Sequence, residues 1–375
     1  MLKFLPEICN IQYGYAFDSA KFNTTNTGVP LIRIRDVLRG YSETYTTEEC
    51  TQEYIVQNGD ILIGMDGEFN IARWNGGKAY LNQRVCRLIP SSEIDSTYLF
   101  YFMPKALKAI EDKTSFVTVK HLSAKELNKV LVLVPSIQEQ KKMANSLQQL
   151  DEMISLRKQQ LSKLDELVKS RFIELFGTIH DNKLGYEIKT LQDVCEQIKD
   201  GTHQTPTYTD DRVNGYKFLS SKDVTTGKID WTHLKYIPEE LHNELYARIA
   251  PKKGDILLAK NGTTGIAAIV DRDEIFDIYV SLALLRPIEI NVVYLWAAIN
   301  SVETKQQFDS SLKGIGVPNL HLGEIKKARI IVPPIELQKQ FAAFVEQTDK
   351  SKLAIQKSLE KLEILKKSLM QQYFG

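Results

Sequence analysis

Two stretches of the chain carry apolar residues at the alternating three- and four-residue spacing of a helix that pairs with another helix. In the first, Leu147, Leu150, Ile154, Leu161, Leu164, Val168 and Leu175 keep one heptad frame, interrupted by Arg157 and Arg171. In the second, Phe341, Val345, Ile355, Leu359, Leu362, Leu369 and Tyr373 keep the same frame, interrupted by Thr348, Lys352 and Lys366. Glu and Lys fill the flanks of both. At about 1.5 Å per residue a helix from Ile137 to Phe176 is roughly 60 Å long. That is too long to hide inside one small domain, so each seam needs a partner, and the simplest partner is the other seam. A partner protein covering both is the competing outcome.

Elsewhere the apolar runs are short and bounded by turn residues, as in strands. Val29-Pro30-Leu31-Ile32 leads into Arg33/Ile34/Arg35, whose alternation predicts a strand with both arginines on one face and a closing turn at 36–40. Asn58-Gly59 feeds the strand Ile61-Leu62-Ile63, followed by the polar loop Asp66-Gly67-Glu68-Phe69-Asn70 and then Ile71-Ala72-Arg73-Trp74. Val85–Pro90 and Val130–Val134 read as further strands, and Thr97–Ile110 as a helix with Pro104 inside it. Mixed α/β structure is the expectation for the first part of the chain.

The whole pattern then recurs. Positions 134–177, from Val134-Pro135-Ser136-Ile137 to Phe176-Gly177, return without a gap 198 residues later as 332–375. Gly28–Gly40 returns 187 residues later as Gly215–Gly227, and Gly59-Asp60-Ile61-Leu62 as Gly254-Asp255-Ile256-Leu257. The apolar and Gly positions are shared, whereas the polar ones differ. Arg33 and Arg35 stand against Ser220 and Lys222, and Asp66-Gly67-Glu68 against Lys260-Asn261-Gly262. One scaffold presenting two different surfaces accounts for that contrast. The expected organisation is 1–136 and 178–334 as two similar domains, with spacer helices at 137–177 and 335–375.

Composition adds limits. A hydrophobic fraction of 43% and a charged fraction of 25% are those of an ordinary globular protein. The net charge of +1 lacks the basic excess of many nucleic-acid binders, though a basic face can be balanced elsewhere. Cys9, Cys50, Cys86 and Cys195 form no C-x-x-C pair and have no His at ligand spacing. The N-terminal residues lack the apolar run of a signal peptide and no stretch approaches membrane-spanning length, so the cytoplasm is the expected location, with no membrane contact.

Catalytic signatures are missing. Gly76-Gly77-Lys78-Ala79 is not a P-loop, and no G-x-G-x-x-G follows a strand. Val332-Pro333-Pro334-Ile335 lacks the polar residue and the aromatic that would flank the prolines in an amino-methyltransferase motif. Glu303-Thr304-Lys305 has the spacing of a metal nuclease without the upstream Pro-Asp, and reads as a solvated helix face. Of the six histidines only His203, in the polar turn Asp200-Gly201-Thr202-His203, and His321 stand out.

Taken in order, Asp200-Gly201-Thr202-His203 with Thr205-Pro206, the two Gly-Asp-Ile-Leu segments, Leu81-Asn82-Gln83-Arg84-Val85, the two Val-Pro-x-Ile…Gln-Lys helix starts, and the segments Val119-Lys120-His121-Leu122 and Val317-Pro318-Asn319-Leu320 resemble the specificity subunit of type I restriction–modification systems. The resemblance spans essentially the whole chain. It implies two mixed α/β (α+β) target-recognition domains joined by two long antiparallel coiled-coil helices, with an internal pseudo-twofold repeat. It also implies a non-catalytic, DNA-binding host-defence protein, each domain reading one half of a split, asymmetric site in double-stranded DNA while the helices set the spacer. Two modification subunits would dock on the helices and methylate adenine at N6, and restriction subunits would translocate and cleave. This chain would hold no cofactor, while S-adenosylmethionine, ATP and Mg would belong to the partner subunits. A duplicated coiled-coil adaptor that binds only protein is the rival reading.

On residue type and loop position, Arg33, Arg35, Arg73 and Arg84 in the first domain and Lys222, Lys260, Asn261 and Asn319 in the second are DNA-contact candidates, since Arg suits guanine and phosphate, Asn adenine and Lys phosphate. The resemblance adds Gly201, Thr202 and His203. Leu147, Leu150, Ile154, Leu161, Leu164, Ile355, Leu359, Leu362 and Leu369 are the helix-pairing candidates. Exchanging residues 178–335 for the same domain of a relative should change one half-site and leave the other intact, as read by mapping methylated adenines; a change in both would show that the domains do not read independently.

Overall fold

The protein is described here by a computed structural model covering residues 1–113, 120–312 and 318–375. The chain forms two compact units, Met1–Lys158 with Lys357–Gly375, and Gln159–Gln356. Each unit therefore holds one α/β domain together with a segment of each long helix.

In the first unit a four-stranded antiparallel sheet runs in the order Cys9–Tyr13, Val85–Pro90, Ile61–Gly64, Ile71–Arg73. The unbroken apolar run of Ile61–Gly64 is explained by burial on both faces. Ile61 and Ile63 pack with Cys86, Leu88, Tyr98 and Leu99, whereas Leu62 faces Ile32, Trp74, Leu81 and Val85. A second sheet contains Val29–Ile32 parallel to Ala79–Leu81, in register Ile32 with Leu81. A ribbon of Leu2–Phe4 and Leu131–Leu133 and the helix Ser96–Lys113, which continues through Pro104, complete the domain.

The second unit repeats this plan. Its four-stranded sheet is Cys195–Asp200, Leu282–Pro287, Ile256–Ala259, Ala267–Ile269. Ile256 and Leu258 face one core and Leu257 and Ala259 the other. Tyr216–Leu219 runs parallel to Phe276–Ile278, and Glu187–Thr190 pairs with Arg329–Val332.

The strand expected across Arg33–Arg35 is absent. The strand ends at Ile32, and a helix covers Ile34–Arg39, because the Arg33 N–H donates to the Asp36 carboxylate at 2.9 Å and closes the first turn. Gly40, at φ 77°, terminates the helix, so 36–39 is helical and not the closing turn of a strand. Ser220 and Asp223 repeat the device at 2.6 Å before the 3₁₀ turn Ser221–Val224. A carboxylate three residues downstream outcompetes strand continuation, although the apolar alternation favours it.

The long helices cover Ile137–Phe176 and Ile335–Phe374. Within the first unit, Asp151 pairs with Lys366 at 2.5 Å and Lys158 with Glu363 at 3.3 Å, so the numbers rise on one helix as they fall on the other. Within the second, Asp165 meets Lys352 at 2.5 Å and Phe172 packs edge-on against Phe341 further along. The pairing is antiparallel in both. Leu147, Leu150, Ile154 and Leu359 are buried, and Leu161, Leu164, Ile355, Leu362 and Leu369 half-buried, all turned inward as the heptad frame requires. The interruptions Lys352 and Lys366 are used as cross-helix ion pairs.

The Gln-Lys helix starts have a physical role. Gln140 is fully buried; its Nε2 donates to the Pro135 and Glu93 carbonyls at 3.0 and 3.1 Å, and its Oε1 accepts from the Asp95 N–H at 2.7 Å. Asp95 in turn accepts from the Thr97 and Tyr98 N–H groups at the start of the domain helix. Gln338 repeats the arrangement with the Pro333 carbonyl and the Asn291 N–H, both at 2.8 Å, and Asn291 caps Val292–Ile299. The far end of the other long helix fills the adjoining core. Phe374 packs edge-on against Tyr98 and Phe102, and Phe176 against Tyr294. Gln140→Leu leaves two carbonyls and one N–H without partners and should lower the stability of the first unit by about 2–4 kcal/mol, and Phe374→Ala by about 3–5 kcal/mol. Urea denaturation followed by hydrogen exchange should localise both losses to residues 1–158 and 357–375.

Candidate nucleic-acid interface

In an α/β arrangement, loops leaving the carboxyl ends of adjacent parallel strands converge, and ligands bind there. In the first domain the parallel strands Val29–Ile32 and Ala79–Leu81 deliver Arg33–Arg35 and Asn82–Arg84 to one edge. The loop after Ile61–Gly64 joins them through Met65, whose N–H donates to the Arg84 carbonyl at 3.0 Å. The segment Lys120–Leu122 closes the cluster: the Leu122 N–H donates to the Met65 carbonyl at 2.7 Å, the Gly67 N–H to the Lys120 carbonyl at 2.9 Å, and Asp66 bridges His121.

The second domain builds the same framework. The Lys260 N–H donates to the Ser281 carbonyl at 2.9 Å, the Leu320 N–H to the Lys260 carbonyl at 2.7 Å, the Gly262 N–H to the Pro318 carbonyl at 3.2 Å, and Asn261 bridges Asn319. These bonds equate Asp66 with Asn261, Arg84 with Ser281 and His121 with Asn319. The loop correspondence read from the sequence, Asp66 against Lys260, is therefore shifted by one residue. Val119 and Val317, the first residues of the two segments, lie outside the described residues.

Gly14 and Gly201 occupy equivalent turns beside this framework. A Cβ at Gly14 would stand 2.0 Å from the Asn82 carbonyl oxygen, and one at Gly201 2.0 Å from that of Ile278, so close backbone approach requires glycine in both. The N–H groups of Gly201 and Thr202 donate to the Leu282 and Ile278 carbonyls at 3.2 and 3.1 Å, and the Thr202 hydroxyl accepts from Gln204. Two of the three DNA-contact residues that the resemblance adds are thus corrected: Gly201 and Thr202 are buried and bonded internally, and of the three His203 alone is exposed. His321 caps the short helix Leu322–Lys327 through its backbone.

The candidates divide. Arg33, Arg35, Arg84, His203, Lys222 and Asn319 are exposed at the convergence of loops, and Asn261 is half-buried there with an Oδ1 that has no hydrogen-bond partner. Arg35 also donates to the Thr44 hydroxyl at 3.2 Å. Arg73 is elsewhere. It pairs with Ile61, at the opposite end of that strand from Met65, and its guanidinium donates to Gly59, Ser96 and Thr97 over the Phe100 ring. Burial lowers its pKa, and its role is to tie the domain helix to the sheet.

Lys260 is also corrected. Its side chain is only 6% exposed and its ammonium bonds Asp200 at 2.9 Å, so it does not reach outward to phosphate. Burial works against the Asp200 charge, but Lys260 and then His203 outweigh it and hold the carboxyl below its usual range. Asp200 accepts from His203 Nε2 at 3.2 Å, and Arg248 secures the turn by donating to the Asp200 and Gly201 carbonyls. Sequence reasoning did not single out Asp66, His121, Asp200 and Arg248 as site residues, because the pairs Asp66–His121, Asp200–Lys260 and Arg248–Asp200 join positions 55, 60 and 48 residues apart. Glu303 is no nuclease residue either: its carboxylate accepts from the Ile179 N–H at 2.9 Å.

Among the described residues no helix is long and apolar enough to cross a membrane, and no cluster of three metal-ligating side chains occurs. Comparison with known proteins supplies the context. Residues 1–166 and 183–366 each match the family model for the type I restriction modification DNA specificity domain. The chain is 29% identical to the type I restriction enzyme EcoBI specificity subunit of Escherichia coli, over 99% of this chain and 84% of that one. It is 25% identical to the MjaVIII specificity subunit of Methanocaldococcus jannaschii, over 91% and 87%. The fold is similar, with TM-score 0.60 and 16% identity, to the S subunit of a type I restriction-modification system from M. genitalium, covering all of this chain and 96% of that one.

Lys260→Met, which keeps the volume but strands the Asp200 carboxylate, should cost on the order of 2–3 kcal/mol, below the figure for a fully buried pair because Asp200 keeps some solvent contact. His203→Ala should leave stability within about 0.5 kcal/mol. Thermal unfolding of the two variants checks the division between positioning and exposed groups.

Proposed function

We propose a division of labour for this chain, which belongs to the family of type I restriction–modification DNA specificity subunits. It is a specificity subunit with two target-recognition domains. Each domain reads one half of a bipartite, asymmetric site in double-stranded DNA. The paired helices set the unread spacer and dock two modification subunits, to which restriction subunits add. The chain itself performs no chemistry and acts in the cytoplasm. S-adenosylmethionine, ATP and Mg act in the partner subunits, where an adenine flipped from the duplex is methylated.

The observation that carries this reading is the repeated loop framework. Two domains with the same hydrogen-bonded backbone hold different polar side chains at the carboxyl ends of their parallel strands, as two readers of different sequences require. Arg33, Arg35 and Lys222, exposed beside that framework, supply phosphate contacts, and Arg84, Asn261, Asn319 and His203 face base edges or the groove. An adaptor that binds only protein has no use for such divergence at equivalent positions.

The chain alone should bind DNA weakly, and the complex with modification subunits strongly, with affinity falling steeply as salt rises from 50 to 200 mM because phosphate contacts release counterions. Fluorescence anisotropy with and without those subunits measures it. Salt-independent binding, or a complex that methylates no sequence, would falsify the reading.

A further inference from the structure

We propose that Arg84 is the base-discriminating residue of the first domain, recognising guanine in the major groove, and that Asp66 and His121 are the positioning residues that aim it. The inference rests on the DNA-reading function above and deepens it by naming the base.

The geometry is a carboxylate shared by two side chains from distant loops. Asp66 Oδ1 lies 2.5 Å from His121 Nδ1, and Asp66 Oδ2 lies 3.5 Å from Arg84 Nε. At that distance from a carboxylate, His121 Nδ1 carries the proton and donates. Arg84 Nη1 lies 3.4 Å from the same Nδ1, and the Asp66 carboxylate is the group that His121 hydrogen-bonds and Arg84 pairs with as an ion. Asp66 engages the Nε edge of the guanidinium. Among the described residues Asp66 is the one acidic side chain paired with Arg84. The side chain is 52% exposed, and with Asp66 beside Nε the Nη edge, whose Nη1 lies 3.4 Å from His121 Nδ1, is the one left for a base.

That edge fits guanine, whose O6 and N7 acceptors lie side by side in the major groove and take an arginine fork bidentately. Phosphate is a poorer match. The Asp66 carboxylate beside the guanidinium repels phosphate oxygens, whereas Arg33, on the neighbouring loop, is exposed with no acidic partner of its own among the described residues.

The second domain provides the contrast. At the three equivalent positions it carries Ser281, Asn261 and Asn319 on the same backbone bonds, with no charged group. Ser281 is turned inward, accepting from the Ser221 N–H at 3.0 Å. The chemistry of the two domains therefore departs on a loop framework that they share, which is where the choice between half-sites has to be made. A guanidinium clamp in one domain and an amide pair in the other are suited to different bases.

The experiment uses the complete complex of this chain with its modification subunits, acting on a library of randomised duplexes whose methylated adenines are mapped by sequencing. Exchange of residues 178–335 identifies which half-site belongs to the first domain. The expected result is an invariant guanine in that half-site. Arg84→Ala should relax that one position by roughly 5- to 140-fold, equivalent to about 1–3 kcal/mol at 1.4 kcal/mol per tenfold, and leave the other half-site unchanged. Arg84→Lys, which keeps the charge but not the fork, should relax the same position. Asp66→Asn and His121→Ala should relax it to a smaller degree, with unfolding temperatures close to that of the parent chain. Uniformly weaker methylation of every sequence by Arg84→Ala would make Arg84 a phosphate anchor and overturn the proposal, as would unchanged specificity or the absence of guanine from that half-site. A parent complex that methylates no split site would instead overturn the DNA-reading function itself.

Discussion

Everything in this molecule depends on how a long helix is fastened to a small α/β domain. The fastening is a buried glutamine. A helix running roughly 60 Å at 1.5 Å per residue would act as a lever on any domain attached by a flexible loop. Gln140 and Gln338 remove that freedom by bonding, from inside each domain, the proline carbonyl just before the long helix and the backbone N–H of the residue that caps the domain helix. Buried amides of this kind are costly to break because each lost partner leaves a desolvated polar group. Phe374 and Phe176 complete the attachment by inserting the end of the other long helix into the same core. Each unit thereby holds the start of one helix and the end of the other, and the gapless repeat of 134–177 as 332–375 follows from the need to meet both constraints twice.

With the domains so anchored, the reading surface can vary without threatening the fold. The backbone bonds that join the loops after Gly64, before Val85 and before Leu122 use only main-chain N–H and carbonyl groups, and so do their counterparts in the second domain. Side chains on that framework contribute little to it. Asp66, Arg84 and His121 in one domain and Asn261, Ser281 and Asn319 in the other are compatible with the same set of bonds. A scaffold held by main-chain bonds and apolar packing can be copied within one chain while its chemistry diverges, which suits a protein whose two halves must prefer different sequences.

Not every polar residue near the framework is available for that task. Lys260 and Asp200 form a largely buried pair that sets the position of His203, and Arg73 binds the domain helix to the far end of the sheet. Both cations were legible in the sequence as candidate contacts, being basic residues in polar loops or at strand ends. A charge in a turn reads the same whether it faces solvent or a carboxylate from sixty residues away.

The sequence by itself determined the architecture. The heptad seams, the repeat and the apolar strand runs are local patterns set by helical and strand periods, and the two long helices that they announce cover Ile137–Phe176 and Ile335–Phe374. It determined less where local chemistry competed with periodicity, as at Arg33–Arg35, where the Asp36 carboxylate turns an alternating strand into a capped helix. Only the tertiary structure decided which polar groups meet. Residues 66, 84 and 121 share one carboxylate because parallel strands and crossing loops carry them to one edge, and no spacing rule links them. Burial, which separates Lys260 from Lys222 and Arg73 from Arg84, is likewise a property of the packed chain, since it depends on neighbours that arrive from distant positions.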